Sequence, residues 1–154
     1  MTTARDIMTT TVITLTPDMD ITRATQILLD HHINGAPVLD EGGALAGILC
    51  QSDLIAQQKK LPIPTIFTLL DSFITLPGSQ KFEKQIRKIA AIKVSDAMTP
   101  NPVTVQTDTH LETVAALMVD NSFHSLPVME NNRLVGIIGK EDVLRTLLHP
   151  SKDQ

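Results

Sequence analysis

Two aspartates stand at matching places in the chain. Asp53 follows the apolar run Leu45-Ala46-Gly47-Ile48-Leu49, and Asp142 follows Leu134-Val135-Gly136-Ile137-Ile138. A carboxylate just after a strand can cap the first turn of the next helix. Facing a cavity, it can instead accept two hydrogen bonds from the vicinal hydroxyls of a ribose, which selects a ribonucleoside without identifying its base. Both uses stay open for Asp53 and Asp142. Other reactive side chains form no constellation. His31 and His32 are adjacent, and neighbouring residues of a helix point in different directions, so the pair does not chelate by itself. His110 and His149 have no matching local ligands, and no structural metal is expected. The single cysteine, Cys50, excludes an internal disulfide framework and a cysteine-rich zinc site; ending an apolar run, it reads as a small hydrophobe rather than a nucleophile. The sequence lacks a Gly-x-Ser-x-Gly nucleophile turn, a Gly-Lys-Ser/Thr phosphate loop and a dinucleotide fingerprint. A binding protein is expected rather than an enzyme.

The two aspartates belong to a duplication. Asp6-Ile7-Met8-Thr9 returns as Asp96-Ala97-Met98-Thr99 at an offset of 90, and Pro37-Val38 returns as Pro127-Val128. The apolar positions Ile21, Ala24, Ile27 and Leu28 meet Leu111, Val114, Leu117 and Met118 at that same spacing. Beyond the next turn the offset falls to 89, pairing Gly47-Ile48 with Gly136-Ile137 and Asp53 with Asp142; one extra residue near Gly42-Gly43 accounts for the slip.

Each copy reads as strand, helix, strand, strand, helix, a mixed α/β (α+β) arrangement. Val12–Leu15 and Val103–Val105 are short β-rich runs. Helices are expected over 21–30 and 111–120 from their apolar spacing, with Asp18 or Asp20, and Asp108, as first-turn or cap residues. Strands at 36–39 and 126–129 lead through Asp40-Glu41-Gly42-Gly43 and Glu130-Asn131-Asn132-Arg133 into strands at 45–49 and 134–138. A lone two-stranded hairpin cannot bury its apolar face, so the copies are expected to pack sheet against sheet, helices outside, about a pseudo-two-fold axis. The expected organisation is repeat 1 over 1–56, a helical insert over 57–93, repeat 2 over 94–150 and a flexible tail over 151–154.

The insert carries seven Lys/Arg against Asp71 and Glu83, a net +5, so the rest of this 154-residue chain carries −9 to give −4 overall. Phe82, Ile86, Ile89 and Ala90 form an apolar helical stripe, and Ile66, Phe67, Leu69, Leu70, Phe73 and Ile74 need a partner surface. Pro64 suits a helix start and Pro77-Gly78 a turn. Three uses suit the insert: a linker packed on the core, an interface for a homodimer or an effector protein, or a membrane-surface helix, for which its apolar residues are few. Nucleic-acid binding through Lys81, Lys84, Arg87, Lys88 and Lys93 is disfavoured by the overall acidity and by four Phe with no Tyr or Trp. Leu61–Leu76 is too short and polar to span a bilayer, and Met1–Asp6 does not open a signal peptide. A cytoplasmic location is expected.

The order and repetition of these motifs resemble a tandem pair of cystathionine-β-synthase-type (CBS) domains, a Bateman module. The resemblance rests on Asp6–Thr9 and Asp96–Thr99, on Ala36-Pro37-Val38-Leu39 and Leu126-Pro127-Val128-Met129, and on Gly47-Ile48-Leu49 with Asp53 and Gly136-Ile137-Ile138 with Asp142. It covers about 4–56 and 94–148; the insert is looser, similar to the inserted helices of some stand-alone bacterial members. The resemblance implies a regulatory module that binds AMP, ADP, ATP or S-adenosylmethionine in clefts between repeats, assembles as a homodimer and controls a separate partner. The rival is a ligand-free scaffold that docks a protein.

The resemblance also implies a residue set. Asp53 and Asp142 would hold ribose. The base would be framed by Thr11, Val12 and Ile13 with Asn34, Gly35, Ala36 and Pro37, and by Asn101, Pro102 and Val103 with His124, Ser125, Leu126 and Pro127. Backbone groups of Ile13 and Val103 would meet an adenine edge. Lys140 offers a charge toward phosphate where the first copy has Gln51, which favours the Asp142 side for a phosphorylated ligand. The family pattern places Thr or Ser three residues before each Asp; this chain has Cys50 and Gly139 there, which weakens the case for tight phosphate binding.

Overall fold

The structure is a computed structural model and describes residues 1–60 and 92–148. The expected insert helices, the Ile66–Ile74 patch, the basic cluster Lys81–Lys88 and the 151–154 tail lie outside the described residues.

The first repeat runs α1 (Ala4–Ile7), α2 (Ile21–Asp30), β1 (Gly35–Leu39), β2 (Leu45–Cys50) and α3 (Gln51–Lys60). The second runs α4 (Val94–Ala97), β3 (Thr99–Pro100), β4 (Val105–Gln106), α5 (Leu111–Asn121), β5 (Ser125–Glu130), β6 (Arg133–Gly139) and α6 (Lys140–Leu148). Each repeat has an antiparallel hairpin, β1–β2 or β5–β6. The one-residue slip is a turn difference. Leu39 pairs with Leu45 around five residues, whereas its counterpart Met129 pairs with Leu134 around four, of which Glu130 and Arg133 also pair and leave Asn131 and Asn132 as the turn. Both asparagines have positive φ, 51° and 63°, as a two-residue hairpin turn twisted to match its strands requires.

The leading arm of each repeat joins the sheet of the other. Thr9 bridges Ile137, and β3 pairs Thr99 with Ile48 and Pro100 with Gly47. The arms also complete the cores. Ile92, Val94 and Ala97 pack with Leu15, Ile21, Leu28, Val38 and Leu49 of the first repeat. Ala4 packs with Val105, Val114, Leu126, Val128 and Ile138 of the second, with Ile7 and Met8 beside it. Each repeat therefore has its own core, closed by its own helices and by the other repeat's arm. Burying a side chain such as Val94 fully contributes roughly 1.5–3 kcal/mol, so each exchanged arm matters to stability.

The Asp-x-Met-Thr motif shows why the arms fit. Asp6 accepts the N–H of Thr3 and Asp96 that of Lys93, at 2.8 and 2.9 Å, capping α1 and α4. Met8 then lies over Gly136 and Met98 over Gly47. A Cβ at either glycine would stand 2.6 or 2.7 Å from the sulfur, and at Gly47 also 2.7 Å from the Thr99 carbonyl oxygen, so a side chain at either place would force the arm or its methionine to shift.

The first strands are shorter than their composition predicts. Of Val12–Leu15 only Leu15 bridges β1, at Val38, and β4 holds just Val105 and Gln106. Leu15 donates to the Pro37 carbonyl and accepts from Leu39 N–H. Continuing this parallel ladder two residues back needs an N–H from residue 37, and proline has none. Val105 is in the same register opposite Val128, with Pro127 before it. The prolines thus cut both first strands short.

The helix caps follow expectation in the first repeat and not in the second. Asp20 sits at the N-cap of α2 without a side-chain cap bond; it accepts Lys93 Nζ at 2.6 Å instead. The N-cap of α5 is His110, not Asp108. Both helices end in a Schellman arrangement: Ile33 N–H donates to Leu28 and Phe123 N–H to Met118, with His32 and Ser122 at φ 53° and 57°. His32 is thus the turn that leads the chain from α2 into β1.

Candidate functional site

Two clefts lie along the seam between repeats, and each draws residues from both. The smaller, about 220 Å³, is lined by Thr9, Thr11, Ile13 and His31–Gly35 of the first repeat, and by Ser125, Ile137, Gly139–Asp142 and Arg145 of the second. The larger, about 460 Å³, is lined by Ile48, Cys50–Asp53 and Ile55 of the first repeat, and by Thr99, Asn101–Val103 and Asn121–Leu126 of the second. Asn34 and Ser125 line both.

This regroups the candidate residues. Asp53 comes together with Asn101, Pro102, Val103, His124, Ser125 and Leu126. Thr11, Ile13, Asn34 and Gly35 face the cleft of Asp142 and Lys140. The arm exchange is the reason: each arm crosses to the other repeat and carries the following residues to the other aspartate. Val12 lines neither cleft. Ala36, Pro37 and Pro127 are fully buried and belong to the packing beneath the clefts. The truncated strands leave the stretches around Ile13 and Val103 beside the clefts without a ladder partner, and Val103 is 43% exposed.

The aspartates occupy equivalent positions, the third residues of α3 and α6. Asp53 Oδ2 accepts the N–H of Cys50 at 2.8 Å, and Asp142 Oδ2 accepts that of Gly139 at 2.8 Å. Both therefore cap their helices, one of the two uses open from sequence. This also accounts for Cys50 and Gly139: the helix start is capped through the backbone by the later aspartate. The other carboxylate oxygen faces the arm from the opposite repeat. Thr99 Oγ1 donates to Asp53 Oδ1 at 3.1 Å, and Thr9 Oγ1 lies 3.3 Å from both oxygens of Asp142.

At Asp142 the symmetry breaks. Arg145, one turn on, donates from Nη1 to Asp142 Oδ1 at 2.7 Å, with Glu141 4.0 Å from its other nitrogen. Asp142 itself is only 7% exposed. At the 89-residue offset the first repeat has Ala56 in place of Arg145. Cys50 lines the Asp53 cleft; burial, and secondarily the Asp53 charge, push its thiol up to about 11, so it stays protonated at neutral pH. Among the described residues, no group of three His, Cys, Asp or Glu side chains is arranged to hold a metal, and no helix is long and apolar enough to cross a membrane.

Sequence reasoning missed Thr9, Thr99, Ile55, Phe123 and Arg145 as lining residues. The threonines were in view as part of the repeated motif, but nothing local tells which aspartate they meet. Arg145 had a signal in its i+3 spacing from Asp142 and in the mismatch with Ala56.

Known proteins share this fold. The CBS-domain family model matches residues 4–60 and 94–149. The chloroplastic CBS domain-containing protein CBSX2 of Arabidopsis thaliana is 29% identical over 142 residues, 89% of this chain; the chain spans 59% of that protein's length. The crystal structure of CBSX2 in complex with AMP is 28% identical and covers 95% of this chain and 96% of its own, with a TM-score of 0.70. The CBS domain pair of MJ0100, solved with 5′-methylthioadenosine and S-adenosyl-L-methionine, is 27% identical and covers 95% and 99%, with a TM-score of 0.69.

Proposed function

This chain belongs to the CBS-domain family, and on that premise we propose that it is a ligand-sensing regulatory module. It takes an adenosine-containing ligand, such as AMP, ADP, ATP or S-adenosylmethionine, between its repeats and controls a separate partner. One observation carries this reading: each cleft takes its carboxylate from one repeat and its opposite wall from the other. A ligand seated there touches both repeats, so its binding energy depends on how they are oriented. That differential affinity is the requirement for a ligand to shift a conformational equilibrium. The carboxylate would accept ribose hydroxyls, and backbone groups near Val103 or Ile13 would meet the base.

The reading is of binding rather than catalysis, and no reaction is assigned to the clefts. Its test is isothermal titration of the full chain with AMP, ADP, ATP, S-adenosylmethionine and a guanine nucleotide as control. Saturable, adenine-selective binding supports it. Absence of heat for every ligand at two temperatures overturns it.

A second reading, a dimeric scaffold without a ligand, is favoured by one surface feature. Leu144, Leu147 and Leu148 of α6 are 56–78% exposed, and Ile55 of α3 and Val119 of α5 are 70% and 77% exposed. Helices bearing such residues suit a homodimer or an effector-protein contact. Sedimentation of the full chain across a concentration series tests for the homodimer.

A further inference from the structure

We propose that the two clefts are unequal, and that Arg145 is the residue that makes them so: the Asp53 cleft is the ribonucleoside site, while Arg145 closes Asp142 to a ribose. This rests on the reading above and assigns it to one cleft.

Counting lone pairs leads to this assignment. Each carboxylate oxygen has two principal acceptor sites. In both aspartates Oδ2 serves the helix cap. Among the described residues, Asp53 Oδ1 holds only the Thr99 hydroxyl, a neutral donor that can rotate away and leave room for a diol. Asp142 Oδ1 holds the Arg145 guanidinium at 2.7 Å as well as the Thr9 hydroxyl. A charge-assisted bond of this kind is roughly twice as strong as a neutral one. A ribose hydroxyl at Asp142 would have to displace a cation already paired with an anion. The guanidinium is thus a built-in occupant of the place a ribose would take.

Size points the same way. The Asp142 cleft, with Arg145 in its wall, holds about 220 Å³, below the roughly 300–1,000 Å³ usual for small-molecule sites. The Asp53 cleft holds about 460 Å³, within that range. Its wall adds Ile48, Pro102, Val103 and Phe123, apolar surface suited to the faces of a base.

The chain contains its own control, because Ala56 takes the place of Arg145 in the first repeat. Arg145→Ala makes the second repeat like the first, and Ala56→Arg makes the first like the second. Both positions are exposed, so neither change disturbs a core. Isothermal titration with AMP, 5′-methylthioadenosine and S-adenosylmethionine reads the number of sites. For the ligand that binds, wild type should take about one per chain, Arg145→Ala about two, and Ala56→Arg should bind at least about 10-fold more weakly, a change of about 1.4 kcal/mol. Asp53→Asn should weaken the wild-type site roughly 10- to 100-fold and Asp142→Asn should leave it. Two equal sites in wild type, a site lost with Asp142→Asn rather than Asp53→Asn, or unchanged behaviour in both exchange variants overturns the inequality while leaving the ligand-sensing reading in place. No binding of any of the three ligands to any variant overturns the inequality, and absence of binding by ADP and ATP as well overturns both.

Discussion

Asp53 holds the hydroxyl of Thr99 across the boundary between the two repeats, 46 residues away in sequence, with Oγ1 and Oδ1 3.1 Å apart. The same carboxylate caps α3 through Cys50 and lines the larger cleft. One side chain therefore joins a helix start, the exchanged arm of the other repeat and the proposed ligand site.

The first prediction separates these roles. Asp53→Asn keeps an amide oxygen to accept the Cys50 N–H but replaces the second acceptor with a donor. Adenosine-ligand binding should weaken roughly 10- to 100-fold, the cost of a hydrogen bond to a charged group. Unfolding free energy should change by less than about 1 kcal/mol, since the cap survives. Titration calorimetry and thermal melts without ligand check the two halves. A variant that melts far earlier yet binds normally would make Asp53 a cap only.

Cys50 occupies the position where the family pattern carries a hydroxyl, and it lines the Asp53 cleft. Cys50→Ser should tighten binding of the adenosine ligand by about 2- to 10-fold, the worth of one added neutral hydrogen bond. Titration beside the wild type decides it, and weaker binding would show that the thiol contributes through its packing.

The Cys50 thiol has a pH signature. Its folded pKa is raised from 9.0 to about 11 by burial and then by Asp53. Between those values the unfolded chain has released its proton and the folded chain keeps it, so stability falls as pH rises through the window and is unaffected below it. Chemical denaturation from pH 8 to 11 should show this loss in wild type and not in Cys50→Ala. Alkylation by iodoacetamide at pH 8 should run about a hundredfold slower than for an unperturbed thiol, and slower still with ligand in the cleft.

Gly47 and Gly136 are where the exchanged arms lie closest to the sheets. A Cβ at Gly47 would meet Met98 Sδ and the Thr99 carbonyl oxygen at 2.7 Å, and one at Gly136 would meet Met8 Sδ at 2.6 Å and the Thr9 oxygen at 3.1 Å. Gly47→Ala and Gly136→Ala should each cost about 1–3 kcal/mol, a fall of several degrees in Tm for a chain of this size. Gly47→Ala should be the worse, because its Cβ meets backbone at 2.7 Å where that of Gly136 meets backbone at 3.1 Å. Equal, negligible effects would mean that the arms have room to move.

Much of this architecture was legible in the sequence. The offsets of 90 and 89 located both hairpins and their helices, and the slip predicted the longer first turn. What stayed hidden depends on long-range pairing. Thr9 and Thr99 carry no local mark of which hairpin they will join, so Asp53 and Asp142 were placed in equivalent surroundings but not yet with the right walls. The β-rich composition of Val12–Leu15 and Val103–Val105 suggested longer strands; the missing N–H of Pro37 and Pro127, residues read there as framing a base, sets their length instead. The unequal chemistry of the aspartates turns on one exchange, Ala56 for Arg145, at a position the repeated motifs do not include.

The exchange of arms also bears on what half of this chain would be. A single repeat cut from it would have a core lacking its lid and an arm with nowhere to dock, and each defect is the remedy for the other in a second copy. Two such halves would interlock as a symmetric pair, each closing its neighbour. The fused chain is in that sense a dimer whose subunits have been made covalent, which frees each half to diverge while the interlock keeps them together.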